Sequence, residues 1–511
     1  MDKLLGTNEE NIVDENNYSH ISNTNNVLSD DEIIVDEIIY SGLVLKREYV
    51  LLKKIGFGNN ASVWMAYQIS TKNFLAIKIQ DYQCYHDGCR EVVIIKKINS
   101  YRKKTNRNTY CIEMLDYFVY EYSDNVKFVC SVYELYAGSI NMVLFTGKYK
   151  YGLPIPTVKR ITRQLLTALT VLHEELKIIH TDIKPENILF KGIPDYHAKI
   201  MEIFINSSFQ QKCDKLLSQF SDNPQYIDEE LEKLAFESVR DINSYQSVII
   251  GDEEFIPDDE DFDENNIDED DDICDNDDDS ELSEDKSVIF NERKQSVDDV
   301  IENLSYMKLH DLENEGNYDF ESVLNNRPNT KDFKEVIKDE YIINCEIVLT
   351  DFGNSYFYEK RTWNEIQDRR YRAPEIILDL HYGYACDIWS VSCVVFELLT
   401  GFTLFEPDDF PLNRDIHHLF LMEKTLGPIP IHMKKSSNRS RFLFDKTRNY
   451  HINNVMPFDP SPLKERLVKQ FLFNEKEADE IYDFLLCGLI YEPSERLTAR
   501  EMLEHPWLKD D

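Results

Sequence analysis

Short apolar runs broken by polar residues open the ordered part of the chain. Tyr49-Val50-Leu51-Leu52, Ser62-Val63-Trp64-Met65-Ala66-Tyr67 and Phe74-Leu75-Ala76-Ile77-Lys78-Ile79 follow one another at hairpin distances, and their β-branched and aromatic residues predict linked strands of a small sheet. A helix carrying Arg90-Glu91-Val92-Val93-Ile94-Ile95 is predicted next, then two strands around Tyr117-Phe118-Val119 and Phe128-Val129-Cys130-Ser131-Val132-Tyr133. After Gly138 the period lengthens. Ile161, Leu165, Leu169 and Leu172 recur at near-helical spacing, and further helices are predicted around residues 387–399, 478–489 and 499–508. The pattern divides the chain into a polar arm (1–43), a β-rich part (44–137), a first helical part (138–195), a spacer (196–344) and a second helical part (345–511). The arm, rich in Asn, Asp and Glu with isolated Ile pairs, is too polar to order itself. The spacer is read as a disordered acidic low-complexity insertion, dominated by Asp and Glu over 252–285. Inside it Val297, Val300, Ile301 and Leu304 make one apolar stripe, readable as a docking helix or as a transient one.

At 511 residues the chain can bury two sizeable cores with chain left over. Its 56 Lys+Arg against 95 Asp+Glu leave a net charge of −39, which repels nucleic-acid phosphates and anionic membranes. Direct nucleic-acid or membrane binding is not expected, and basic partners are. The plainer reading is that most of this charge sits in one solvated segment. Ten cysteines without regular spacing predict free thiols and a reducing compartment. Cys84 and Cys89 flank His86, but no second ligand pair follows at zinc-finger spacing. With no apolar leader and no run long enough to cross a bilayer, a soluble monomer in the cytoplasm, the nucleus or both is expected.

Candidate chemistry narrows this. The strand-turn-strand from Ile55 through Gly56-Phe57-Gly58-Asn59-Asn60-Ala61-Ser62-Val63 suits a loop whose backbone N–H groups approach phosphates closely, although Ala61 stands where a third glycine would tighten the match. Alone such a pattern is as readily a plain turn. Lys78 on the strand Leu75-Ala76-Ile77-Lys78 is placed to pair with α- and β-phosphates, with Glu91 as the candidate to hold it. Ile179-His180-Thr181-Asp182-Ile183-Lys184-Pro185-Glu186-Asn187-Ile188-Leu189-Phe190 is the strongest signal, a catalytic loop with a following strand. In it Asp182 takes or orients a hydroxyl proton, Lys184 offsets charge on a phosphoryl group in transit, and Asn187 binds magnesium; Asp351 of Leu349-Thr350-Asp351-Phe352-Gly353 binds metal, and Ala373-Pro374-Glu375 closes the segment.

These motifs, in this order, resemble the eukaryotic protein-kinase fold over roughly residues 44–509 apart from the insertion. The resemblance implies an α+β, bilobal architecture with a small β-rich N-lobe and a larger, mostly α C-lobe. The catalytic loop, Asp351-Phe352-Gly353-Asn354, Ile366-Gln367, Leu404-Phe405-Glu406-Pro407 and His505-Pro506-Trp507-Leu508 are similar to the SR-protein kinases, in which a long spacer splits the kinase at this point. His418-Leu419-Phe420-Leu421-Met422-Glu423-Lys424 and Leu426-Gly427-Pro428-Ile429-Pro430 are closer to the LAMMER, or CDC-like, kinases. Carried over by position, the resemblance puts adenine between Val63, Ala76 and Leu189, with Tyr133 as gatekeeper and Glu134 and Tyr136 offering hinge backbone groups. It also makes Glu375 and Arg496 a bracing ion pair and Asp387 the carboxylate that holds the catalytic-loop backbone.

The implied activity is ATP- and Mg2+-dependent phosphorylation of serine in basic Arg/Ser-rich proteins such as splicing factors. The alternatives are a proline-directed or dual-specificity kinase, suggested by Arg372 before Ala373, and a pseudokinase scaffold using its acidic spacer. Two positions depart from the common pattern. Thr181 replaces the Arg that awaits a phosphorylated activation loop, so activity without loop phosphorylation is expected. Asp368 stands where related Ser/Thr kinases place a Thr between the catalytic Asp and Lys. It either competes for Lys184, reducing or altering activity, or is turned by a one-residue shift toward solvent or Arg369.

Overall fold

The structure, a computed structural model, describes residues 38–509 except 59, 124, 146–148, 221–222, 246–336, 361–364, 409–412 and 456–457. The stripe at Val297–Leu304 therefore lies outside the described residues. Met1–Tyr40 and Ser41–Asp511 are two separate units, and the fold below is that of the second.

Its first layer is a six-stranded antiparallel sheet made of β1 (Val44–Leu45), β2 (Tyr49–Gly58), β3 (Ala61–Gln68), β4 (Phe74–Gln80), β5 (Met114–Glu121) and β6 (Lys127–Tyr133), in the order β1-β2-β3-β4-β6-β5. Gly42 donates its N–H to the Leu51 carbonyl and Leu43 accepts from the Leu51 N–H, so the backbone just before β1 is also bonded to β2. Helix α1 (Tyr85–Thr105) buries Glu91, Val92, Ile94, Ile95 and Ile98, the three-and-four spacing of one helical face. Arg102, Lys103 and Lys104 in its last turn oppose the helix dipole, and Asn106 ends it in the left-handed region at φ 52°.

The second layer is helical. In chain order it contains α2 (Ile155–Thr170) and, beyond the spacer, α6 (Ala385–Thr400), α7 (Arg414–Leu426), α8 (Glu475–Leu486) and α9 (Ala499–Leu503). Every residue of α6 from Cys386 to Thr400 is buried, as expected for a helix at the centre of a lobe. Gly401 caps it at φ 73°, and a Cβ there would lie 2.4 Å from the Lys150 carbonyl oxygen, so only glycine fits. Among the described residues no helix is long and apolar enough to cross a membrane.

Short strands β7 (Gly138–Ser139), β8 (Ile178–Ile179), β9 (Ile188–Phe190), β10 (Ile347–Leu349) and β11 (Tyr356–Phe357) line the junction of the two layers. The spacer leaves from β9 and returns into β10, which pair antiparallel with Leu189 opposite Val348. Gln164 on α2 fixes the return by bonding the Cys345 carbonyl (2.9 Å) and the Ile347 N–H (2.8 Å).

The spacer corrects the sequence reading at both ends. Residues 195–244 form α3 (Asp195–Asn206), α4 (Phe209–Gln219) and α5 (Pro224–Ser244), and a further short helix spans Asp339–Ile343. The first three pack on the β-sheet lobe. Phe204 sits 5.0 Å from Tyr67 and 6.2 Å from Phe74, and Phe209 lies 5.1 Å from Phe204, ring centre to ring centre. The Tyr67 hydroxyl donates to Gln210 (2.6 Å), and Arg47 pairs with Asp228 on α5. A Cβ on Gly42, at φ 96°, would lie 2.9 Å from the Phe236 Cα, so the helix backbone lies directly against the sheet edge. The physical reason is local: Ile200 and Phe204, then Leu231, Ala235, Val239 and Ile242, are buried at helical spacing.

One buried acid in α6 makes stability depend on pH. Burial raises Glu397 to about 8, and Tyr371 donates its hydroxyl to the carboxylate at 2.7 Å. An acid whose folded pKa lies above its unfolded value contributes fully below about 4.5 and loses that contribution as pH rises toward 8. Glu397→Gln, which keeps an acceptor for Tyr371, is expected to flatten thermal stability between pH 5 and 8. At pH 8 it should gain on the order of a few kcal/mol over wild type. Equal pH slopes for both proteins in thermal melts would contradict this.

Candidate active site

Strand β4 presents Lys78 and helix α1 presents Glu91. The ammonium is 3.0 and 2.9 Å from the two carboxylate oxygens and 2.9 Å from Oδ1 of Asp351. One ammonium therefore serves two carboxylates. Burial works against its charge, but Asp351 and Glu91 outweigh that and raise its pKa. The Lys78 charge holds Asp351 below the ordinary carboxylate range, whereas desolvation raises Glu91. Glu91 also accepts the Phe352 N–H (3.3 Å), and the buried Phe352 ring meets His180 edge-on at 5.0 Å. Arg90 donates to the Gly353 carbonyl (2.6 Å) with its guanidinium over the Tyr356 ring. The helix is thus tied to both sides of Phe352.

The catalytic loop runs from β8 to β9. Asp182, Lys184 and Asn187 meet: Lys184 Nζ is 3.3 Å from Asp182 Oδ2, and the Asn187 amide donates to the same oxygen (3.0 Å) and to the Asp182 carbonyl (2.9 Å). Desolvation raises the Asp182 pKa, with Lys184 opposing, which leaves a carboxylate more willing to take a proton than a solvated one. Thr181 sits at φ 69°, a strained conformation for a β-branched residue that costs on the order of 1–3 kcal/mol. Asp387 on α6 secures it by accepting the His180 and Thr181 N–H groups, each at 2.8 Å, and His173 bonds the same carboxylate at 2.9 Å. The Thr181 hydroxyl donates to the Asn354 carbonyl (2.7 Å), joining loop and activation segment without a phosphate.

On the nucleotide side, Gly56 faces Val63, Phe57 faces Ser62 and Gly58 faces Ala61 across the β2–β3 hairpin, with Asn60 in its turn. Ile55 and Val63 are half-buried, Phe57 is 56% exposed, and Asn59 lies outside the described residues. Ala76 pairs with Tyr133, both buried, and half-buried Leu189 lies on β9. Beyond Tyr133 the strand ends, Glu134 is exposed and Tyr136 buried. Among the described residues no three His, Cys, Asp or Glu side chains form a ready metal cage. A carboxylate from Asp351 and the amide oxygen of Asn187, whose amide nitrogen is engaged by Asp182, fit a hard cation such as Mg2+ that keeps phosphate and water for its other positions.

The activation segment places Asp368 beside this centre: its Oδ2 lies 3.7 Å from Lys184 Nζ, while Oδ1 accepts the Arg370 N–H at 3.1 Å. Of the two sequence readings the structure has the one that faces Lys184. Gln367, at φ 69°, is pinned by the Cys386 carbonyl, Ser390 and the Ala373 N–H. Glu375 and Arg496 form a fully buried bidentate pair at 2.7 and 2.6 Å, with Arg496 also bonding the Ile490, Ala385 and Tyr491 carbonyls. Sequence reasoning missed Arg90, His173 and Gln367 as organisers of the site. Each works through backbone carbonyls or a distant carboxylate, and no local pattern signals that.

Known proteins resemble this chain along most of its length. The protein kinase domain family matches residues 49–304 and 336–508. A protein of Acanthamoeba polyphaga mimivirus named as a serine/threonine-protein kinase is 51% identical over 488 residues, covering 93% of this chain and 90% of its own. The protein kinase dsk1 of Schizosaccharomyces pombe is 29% identical, covering 91% and 81%, and SRSF protein kinase 3 of Mus musculus is 25% identical, covering 91% and 87%. The chain belongs to the protein kinase family, as an ATP- and Mg2+-dependent serine/threonine kinase of the SR-protein kinase type.

Proposed function

We propose that the chain transfers the γ-phosphoryl group of ATP to serine in Arg/Ser-rich proteins of the splicing-factor class. The observation that carries the substrate class is the similarity, along nine-tenths of the chain, to kinases named for SRSF proteins. The large excess of acidic residues adds charge complementarity to a basic substrate.

In this reading the hairpin of Gly56 to Val63 covers the phosphates, and Lys78, steadied by Glu91, pairs with the α- and β-phosphates. Asn187 and Asp351 would hold Mg2+, which would neutralise phosphate charge. Asp182 accepts the proton of the serine hydroxyl as its oxygen bonds to the γ-phosphorus and the bond to the ADP oxygen breaks. Lys184 offsets the charge of the group in transit. The Thr181 tether to Asn354 supports activity without loop phosphorylation.

Purified enzyme assayed on Arg-Ser repeat peptides and on Ser-Pro peptides of equal length separates this from a proline-directed kinase. We expect at least tenfold higher kcat/KM on the Arg-Ser peptides. Preference for Ser-Pro would overturn the substrate assignment, and failure to phosphorylate either would favour the scaffold reading.

A further inference from the structure

We propose that Asp368 is a specificity-determining residue that binds the guanidinium of an arginine adjoining the acceptor serine. The inference rests on the substrate class proposed above and assigns part of it to one side chain.

Asp368 is 34% exposed, and among the described residues the cation that pairs with its Oδ2 is Lys184, at 3.7 Å, beyond hydrogen-bond distance, while the Arg370 guanidinium acts on it from further off. Lys184 also serves Asp182 at 3.3 Å, so one ammonium faces two carboxylates. When a phosphoryl group passes, its oxygens draw that ammonium, and Asp368 loses its nearest counter-ion. A cation brought by the substrate restores the balance.

A second observation points the same way. The Oε2 atom of Glu186 is buried without a hydrogen-bond partner, and its carboxylate lies where Lys184, Asp368 and Arg370 all act on it. Arg370, which faces both acids, has its own partner in Glu406 at 3.2 Å. The two cations on this side, Lys184 and Arg370, are thus each engaged by another carboxylate, Asp182 and Glu406. A guanidinium suits the gap better than an ammonium, because its planar fork can bond a carboxylate through two N–H groups at once.

The test compares wild type with Asp368→Asn and Asp368→Thr on peptides whose acceptor serine is flanked on both sides by Arg, Lys or Ala. We expect wild type to prefer Arg over Lys over Ala. In both variants the Arg-to-Ala ratio of kcat/KM should fall about tenfold, equivalent to about 1.4 kcal/mol, mainly through KM. Thermal melts matching wild type show that the variants are folded, and Asp368→Glu should recover part of the Arg preference. If wild type prefers Arg and the variants keep that ratio, the assignment to Asp368 is wrong while the substrate class stands. If all peptides lose rate equally in the variants, Asp368 only positions Lys184, and the proposal is overturned. Wild type indifferent to Arg would remove the substrate class itself.

Discussion

Asp182→Asn is expected to lower kcat by about 10²–10⁴-fold while leaving nucleotide binding and fold intact. The amide keeps the size of the carboxylate and an oxygen that can still accept from Asn187, whose bonds to the side chain and carbonyl of residue 182 span 3.0 and 2.9 Å. It cannot take the hydroxyl proton. Lys184 keeps Asp368 as a counter-ion, so the loop need not rearrange. The Lys78–Glu91–Asp351 cluster, whose Lys78 pairs with the phosphates in the proposed mechanism, is untouched. The measurement is twofold: peptide phosphorylation at saturating ATP, and the thermal shift produced by ATP with Mg2+. Unimpaired phosphorylation would end the assignment of Asp182 as the proton acceptor. Loss of the nucleotide shift as well would instead point to a damaged site.

The catalytic centre was legible because phosphoryl transfer needs particular residue types in contiguous strings. His180 to Asn187 and Asp351 to Gly353 each place their groups through local backbone, so the string carries the geometry. Lys78 and Glu91 were legible for a related reason, since a strand followed by a helix puts them within reach. Asp368 was legible as an anomaly but its direction was not, because the turn that aims it depends on Gln367 being pinned from α6. The helices of 195–244 were lost for another reason. Their stripes at Ile200 and Phe204, and at Leu231, Ala235 and Val239, are ordinary amphipathic signals, but the acidic tract of 252–285 dominated the composition of the whole spacer. An average over a long segment hid three short local patterns.

Joining residue 245 to 337 is expected to leave peptide kinase activity within about threefold of wild type, because the candidate site residues and the paired residues of β9 and β10 all lie outside 246–336. Extending the deletion back to residue 195 is expected to be severe. It removes Phe204 and Phe209 from Tyr67 on β3 and Phe74 on β4, the two strands that also carry Val63 and Lys78. Truncating a single buried aromatic costs about 3–5 kcal/mol, so Phe204→Ala alone should lower Tm by roughly 10 °C in a lobe of this size. Loss of the helices exposes the sheet face as well, and activity should fall at least tenfold as the Lys78 strand loosens. Thermal melts and peptide assays of the two deletions and of Phe204→Ala decide the matter. If the longer deletion matches the shorter one in both Tm and rate, the three helices are passengers, and their packing on the β-lobe has no part in holding Lys78 in place.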